Sequence, residues 1–322
     1  YIYMGMSGSY IKSLLPWIRC ILLIAFILSV SAQAAIITVK PGLSIQRAID
    51  TAKPGDVIEV YGGRYYENIN ITKQLILRGR GRPIIDADGK GNAVTLYADG
   101  IRLEGFEETS SSLWPVDGIA VASRNNTIVD NIINGCFYGL EICSSTGNII
   151  ERNVARGNLM GMLLMHSKTN TLKSNDIYNN WFGLVLYYSG QNVVQACNAS
   201  YNRVFGMICL SSDANIIRQN LAIGNYIGIR IFSSSHNAID DNTATLSSKA
   251  GIFLSHSDNN TLNHNNFTRN DGFDSYDSGT DCWDNRTISR YNRSSRQSDI
   301  DKGSDFQERR WMPWGVDPKN VF

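Results

Sequence analysis

The residues able to do chemistry in this 322-residue chain are few and widely spaced. Four are histidines: His166, His236, His256 and His264. Copper(II) wants imidazoles in compact geometry, and copper(I) wants clustered Cys and Met. Met160, Met162, Met165 and Cys143 are near one another in sequence, but methionine is also a common filler of core gaps. Asp240-Asp241 is the one adjacent acidic pair between residues 118 and 270; chemistry on polysaccharides needs paired carboxylates at a set separation. Asp271, Asp274, Asp277, Asp281 and Asp284 offer oxygens for calcium, in a spacing unlike the EF-hand loop. Cys136, Cys143, Cys197, Cys209 and Cys282 show no CxxC spacing, which argues against zinc or redox chemistry. Buried single thiols are expected, with Cys136 and Cys143 the only sequence-near candidates for a disulfide.

What positions these residues is an internal repeat. Gly118, Gly139, Gly161, Gly183, Gly206, Gly228 and Gly251 recur every 21 to 23 residues, each opening a similar phrase (GLVLYYSGQN, GIRIFSSSHN). Asn recurs in three columns: Asn126, Asn148, Asn170, Asn192, Asn215, Asn237 and Asn260; then Asn131, Asn153, Asn175, Asn220, Asn242 and Asn265, with Cys197 as the exception; then Asn158, Asn180, Asn202, Asn225 and Asn270. Short alternating apolar stretches mark half-buried strands, and Ser, Asn, Gly and Asp between them mark turns. Three short strands per repeat predict a coil with rungs about 4.8 Å apart. Asn tolerates left-handed backbone and can bond its counterpart one rung away. A period near 22 is too short for a propeller blade.

The register converts spacing into distance. His166 and His256 share a repeat position but lie four rungs apart, about 19 Å at the usual strand spacing, too far for one ion. Neither copper nor calcium is supported by ligand spacing, and no cofactor is expected. Asp240-Asp241 falls just before the Asn242 turn and reads as a solvated turn. If positions 1 and 3 after each glycine point inward, positions −2, 2 and 4 point outward. Those columns place Trp181, Tyr187, Tyr226, Phe232, Phe253 and Arg230 on one outer sheet face. An apolar, aromatic face of that kind usually contacts something. These six are the candidate ligand-binding residues, and self-association or self-covering through the same face is the alternative.

The ends bound the rest. Lys12 and Arg19 precede the apolar run Ile21–Val30, and Ser31-Ala32-Gln33-Ala34 forms a small-residue box. Residues 1–34 therefore read as a signal peptide, with a retained anchor as the alternative. Its removal would take the formal net charge from +1 to −1. With no basic stripe, nucleic acid is not an expected partner. Residues 35–117 read as a cap and first irregular rungs, with a short helix at 44–52 that Ser44 caps and that covers the open coil end. Residues 118–270 are seven regular repeats. Residues 271–322 are an acidic turn segment followed by an irregular tail in which Trp311 and Trp314 offer apolar contacts. Asn-X-Ser/Thr sequons stand at Asn70, Asn125, Asn198, Asn259, Asn266, Asn285 and Asn292.

The stretch SIQRAIDTAKPGDVIEVYGGRYYENINITKQLILRGRGRPIIDADGKGNAVTLYADGIRLEGF (44–106) is similar to the opening of NosD-like proteins, and Gly118 to Asn270 resembles their parallel β-helix repeats. The resemblance covers residues 36–285 and includes the Trp283-Asp284-Asn285 triplet; residues 286–322 depart from it. These are exported proteins of the pectin-lyase-like superfamily with a carbohydrate-binding and sugar-hydrolase type domain. The resemblance implies an all-β, single-stranded right-handed parallel β-helix of about ten rungs, in a secreted, cell-surface or periplasmic-type location. Function is expected to be binding of carbohydrate or another envelope component along one sheet face, more as a binding protein than as an enzyme. The alternatives are a polysaccharide-active enzyme (lyase, hydrolase or epimerase-like), or the copper-related accessory role of the family's prototype. An enzyme predicts carboxylates converging near Trp181 and Tyr187.

Overall fold

The structure, a computed structural model, describes residues 34–109 and 116–289. The apolar run Ile21–Val30 of the expected signal segment, and Trp311 and Trp314 of the tail, lie outside the described residues.

The chain from Ile36 winds as a right-handed coil of parallel strands. A 12-stranded sheet runs from Ile36–Val39 to Cys282–Trp283, a 10-stranded sheet from Ile69–Ile71 to Phe273–Asp277, and a 6-stranded sheet from Arg64–Tyr65 to Asp176–Tyr178. Every registered strand pair is parallel and joins one rung to the next: Ile150 lies between Ile128 and Leu172, and Leu184 between Met162 and Met207. Stacked Ile, Leu and Val fill the interior, which is the main hydrophobic core. Three strands per rung hold only as far as Asp176–Tyr178. Beyond it the third side shrinks to single bridges through Asn198, Leu221, Thr243 and Asn266. At two of these rungs a local bond explains the loss. Ser200 Oγ donates to Asn198 Oδ1 (2.5 Å) and Thr268 Oγ1 to Asn266 Oδ1 (2.8 Å), the side-chain turn that competes with extended pairing.

The asparagine columns are hydrogen-bonded ladders of one polarity. In the first, the backbone N–H and Nδ2 of Asn148 both donate to Asn170 Oδ1 (2.9 and 2.9 Å), and those of Asn237 to Asn260 Oδ1 (2.8 and 3.0 Å). Each ladder therefore ends in donors at its C-terminal side, and each finds an acceptor there. Asn260 donates to Asp281 Oδ1 (2.8 and 3.0 Å), Asn265 to Thr287 Oγ1 (3.2 Å) and Asn270 to Asp274 Oδ1 (3.0 Å). Carboxylates suit that place because charge-assisted bonds are the stronger ones. Four of the five aspartates weighed above as calcium ligands, Asp274, Asp277, Asp281 and Asp284, thus serve as ladder caps and turn braces; Asp277 accepts from Gly279 N (2.8 Å) and Trp283 Nε1 (2.9 Å), and Asp284 from His264 N (3.1 Å) and Thr287 N (2.8 Å). A serine column, Ser145, Ser167, Ser189, Ser212, Ser234 and Ser257, forms a further ladder that the sequence reading passed over.

The expected capping helix is present at Ile45–Thr51. The Ser44 side chain accepts from Arg47 N, and Glu67 accepts from the N–H groups of Ile45 and Gln46 (3.0 and 3.0 Å). A carboxylate belongs at a helix N-terminus. Ile45 and Ile49 are buried against the first rung, so the helix closes the coil's apolar end.

Candidate functional site

The outer face of the 10-stranded sheet carries a second apolar cluster, separate from the core. It comprises Tyr138, Met160, Leu163, Phe182, Val185, Val204 and Ile208, bordered by Phe137, Met165, Tyr187, Phe205 and Leu210. Positions 2 and 4 after each glycine point outward, as their alternation implies. The column just before the glycine joins them, against simple alternation. The glycines explain this. Pairing runs Tyr138 to Met160 and then Leu140 to Met162, skipping the glycines between. A Cβ on Gly161 would meet Ile177 Cγ2 at 2.5 Å, Asn180 Nδ2 at 2.8 Å and the Gly183 carbonyl oxygen at 2.9 Å. The glycine and the residue after it thus both face inward, a bulge-like break. The preceding residue turns out, adding Tyr138, Met160, Phe182 and Phe205 to the face.

The six expected ligand residues separate into three groups. Trp181 is 38% exposed on one edge, with the Arg203 guanidinium 4.0 Å from its ring centroid; Tyr226 is half-buried two rungs further on. On the opposite edge half-buried Tyr187 meets Tyr188 edge-on at 4.6 Å, and His166 stacks flat on Tyr188 (5.3 Å, 10°). Tyr188, 49% exposed, was missed because it follows the strand in left-handed backbone (φ 47°), where strand alternation has no say. At a strand rise of about 3.3 Å per residue, Trp181 and Tyr188, which flank the strand Phe182–Tyr187, stand at most about 23 Å apart. Phe232, Phe253 and Arg230 form a closed stack. The buried guanidinium lies over both rings (5.1 and 4.5 Å) and donates to Ser255 Oγ (2.8 Å), while Phe253 stacks on Tyr276 (4.2 Å). Arg230 is therefore occupied in holding that end of the face together.

At the other end two acids share the surface. Asp117 and Glu141 point outward on neighbouring rungs and hydrogen-bond to each other. Burial pushes the Asp117 carboxyl well above the usual range, and the Glu141 charge adds to it. Burial also raises Glu141 and the Tyr138 phenol. Two acids so placed disfavour the doubly ionised state. A hydrogen-bonded pair is much closer than the roughly 5–9.5 Å that two-carboxylate glycoside hydrolysis uses. The outward columns beside Trp181 and Tyr187 hold Leu159, Val204, Leu163, Val185, Ile208, Met165 and Leu210, without a carboxylate. Asp240 accepts from Asn263 Nδ2 (2.9 Å), and Asp241 takes the left-handed turn position (φ 55°), 3.8 Å from His264 Nδ1.

Among the described residues no three His, Cys, Asp or Glu side chains converge to hold a metal ion. Cys136 faces the core and Cys143 the outer face, so the two cannot pair; all five described cysteines are free thiols. Burial pushes Cys197 up to about 11 and Cys209 up to about 12, leaving both as inert thiols.

A family model described as "Periplasmic copper-binding protein (NosD)" matches residues 68–295, well over half the chain. A cell surface glycoprotein of Methanothermus fervidus is 32% identical over 108 residues, covering 31% of this chain and 18% of that protein. The coil superposes on a Geobacillus virus E2 protein (ORF18; TM-score 0.64, 14% identity, 77% of this chain and 61% of that one) and on the Dettilon tailspike protein (TM-score 0.61, 15% identity, 72% and 54%). It also superposes on the A-module of the Azotobacter vinelandii mannuronan C-5 epimerase AlgE4 (TM-score 0.54, 15% identity, 74% and 90%). At such identities these structures share the fold alone. Among the described residues the donor set does not fit the copper of the family's description. Cys143 and Met165 are register partners on the outer face, but burial raises the Cys143 thiol away from the thiolate copper takes, and the imidazole after Met165 is stacked on Tyr188.

Proposed function

The chain belongs to the NosD family, and from that premise we infer an envelope or cell-surface protein that binds carbohydrate along the outer face of its 10-stranded sheet. One observation carries the reading. An apolar floor is flanked on one edge by Trp181 under Arg203, and on the other by the His166–Tyr188 stack. Aromatic rings with a polar edge or a guanidinium partner suit a ligand that is apolar on its C–H faces and polar on its rim, as a sugar is. The family's periplasmic description and the cell-surface relative support the location. The outward columns beside Trp181 and Tyr187 hold no carboxylate, and the Asp117–Glu141 pair stands three and two rungs from Trp181, which favours binding over hydrolysis. Screening the full chain and Trp181→Ala on a glycan array tests the proposal. Binding of the parent to a defined glycan class, lost in the variant, is expected. No glycan bound by the parent would overturn it.

A further inference from the structure

Six sequons fall in described residues, and the fold sorts them by what their side chains already do. Asn198 and Asn266 are half-buried, and each amide oxygen accepts from the hydroxyl of its own sequon, Ser200 at 2.5 Å and Thr268 at 2.8 Å. Asn285 is exposed, but the Thr287 hydroxyl of its sequon ends the second asparagine ladder and bonds Asp284 (2.7 Å) and the Leu262 carbonyl (3.1 Å). Asn70, Asn125 and Asn259 differ. All three are exposed, and neither their amides nor the hydroxyls of Thr72, Thr127 and Thr261 make a side-chain hydrogen bond.

Their placement is regular. Asn125 and Asn259 each stand one residue before a ladder asparagine, in left-handed backbone (φ 57° and 59°) at the same corner of the coil. The equivalent corner residues are Gly147, Thr169, Gln191, Ala214 and His236, so the geometry itself does not demand asparagine there. Six rung steps of about 4.8 Å put the two amides about 29 Å apart along one edge. Asn70 pairs with Thr95, which pairs with Ala120, so it opens the outward column of the 10-stranded sheet that continues through Leu163 and Val185. A group attached at any of the three projects into solvent without displacing a ladder bond.

We propose that Asn70, Asn125 and Asn259 are N-glycosylation sites, and that Asn198, Asn266 and Asn285 stay unmodified. The proposal rests on the envelope location inferred above. The donor is an oligosaccharide linked through phosphate to a membrane lipid. The Asn Nδ2–C1 bond forms, the C1–O bond to phosphate breaks, the lipid phosphate leaves, and one amide proton passes to the transferase base. No oxidant or reductant is involved.

The test is glycopeptide mass spectrometry on the full chain purified from its own host after cell fractionation. Sugar mass increments on the peptides holding Asn70, Asn125 and Asn259, with unshifted masses at Asn198, Asn266 and Asn285, are expected. The triple variant Asn70→Gln, Asn125→Gln, Asn259→Gln should lose the sugar increments on those three peptides with an unchanged β-sheet circular dichroism spectrum, because Gln191 already occupies the corner geometry of Asn125 and Asn259 at φ 59° and Asn70 is exposed on its strand. Unshifted masses in chain recovered from the cell surface would overturn the proposal while leaving the location intact. Increments at Asn198 or Asn266 would overturn the sorting. Recovery from the cytosol alone would overturn location and glycosylation together.

Discussion

Replacing Glu108 by leucine should stabilise the coil at neutral pH and flatten its pH dependence. Glu108 lies on the six-stranded sheet between Ile85 and Ile133, both core residues, and is 0% exposed. Neither carboxyl oxygen has a hydrogen-bond partner on another residue among the described residues. Burial pushes its carboxyl well above the usual range; its own backbone N–H and Arg82 oppose this weakly, and Glu107 reinforces it. The folded chain therefore holds a proton that the unfolded chain has released. The contribution of Glu108 to stability is complete below the ordinary carboxylate range and is lost as pH rises toward the raised folded value. Each pH unit over which the folded carboxyl keeps its proton costs about 1.4 kcal/mol, so the parent should lose stability relative to Glu108→Leu as pH rises from 5 to 7. Urea unfolding of the parent, Glu108→Leu and Glu108→Gln at pH 5, 6 and 7 measures this. Gln should remove the slope but keep a buried polar group at a cost of about 1–3 kcal/mol, which separates ionisation from burial. Parallel pH profiles for parent and Glu108→Gln would refute the argument.

Other expectations follow from the ladders. Asp281, which caps the first ladder beside Asp277, is pushed up to about 6, chiefly by burial. Its folded value is raised, so hydrogen-exchange protection of residues 273–289 should weaken as pH rises through about 6, and should stay level in Asp281→Asn. Cys197 interrupts the second ladder, its sulfur meeting Asn175 Nδ2 at 3.7 Å. Cys197→Asn should complete it and raise the urea midpoint by about 0.5–1.5 kcal/mol in stability, whereas a lower midpoint would show that the column does not act as a ladder. Asn192→Ala removes donors to Ser167 O (3.0 Å), Gly190 O (3.1 Å) and Asn215 Oδ1 (3.2 Å), and should cost about 2–4 kcal/mol in the same assay.

Much of the fold was legible because the repeat is strict. Glycine at fixed register and asparagine at fixed offsets left a stacked coil as the one arrangement that satisfies both, and the Ser44 cap marked the closing helix. The face was legible only in part. Alternation placed Leu163, Val185 and Tyr187 outward, but it fails at the glycines, so the column holding Tyr138, Met160 and Phe182 was invisible to it. Arg230 looked like a ligand-binding cation and is instead held against Phe232 of its own strand and Phe253 of the next rung, the second a contact that no single strand shows. Glu108 could not be found at all, since a Glu-Glu pair in a three-residue strand reads as solvent-facing until the register sets Glu108 between two isoleucines. The Asp117–Glu141 pair joins residues 24 positions apart across a rung boundary, and neither is unusual in its own segment.

The central claim is that the two exposed aromatic edges form one carbohydrate-binding face. Titration calorimetry of the parent with the best glycan from the array, beside Trp181→Ala, Tyr188→Ala and the control Lys173→Ala on the 12-stranded sheet, tests it most directly. Each aromatic variant should weaken Kd about 10-fold or more, near 1.4 kcal/mol, while Lys173→Ala leaves it unchanged. Equal affinities for the parent and both aromatic variants would contradict the claim.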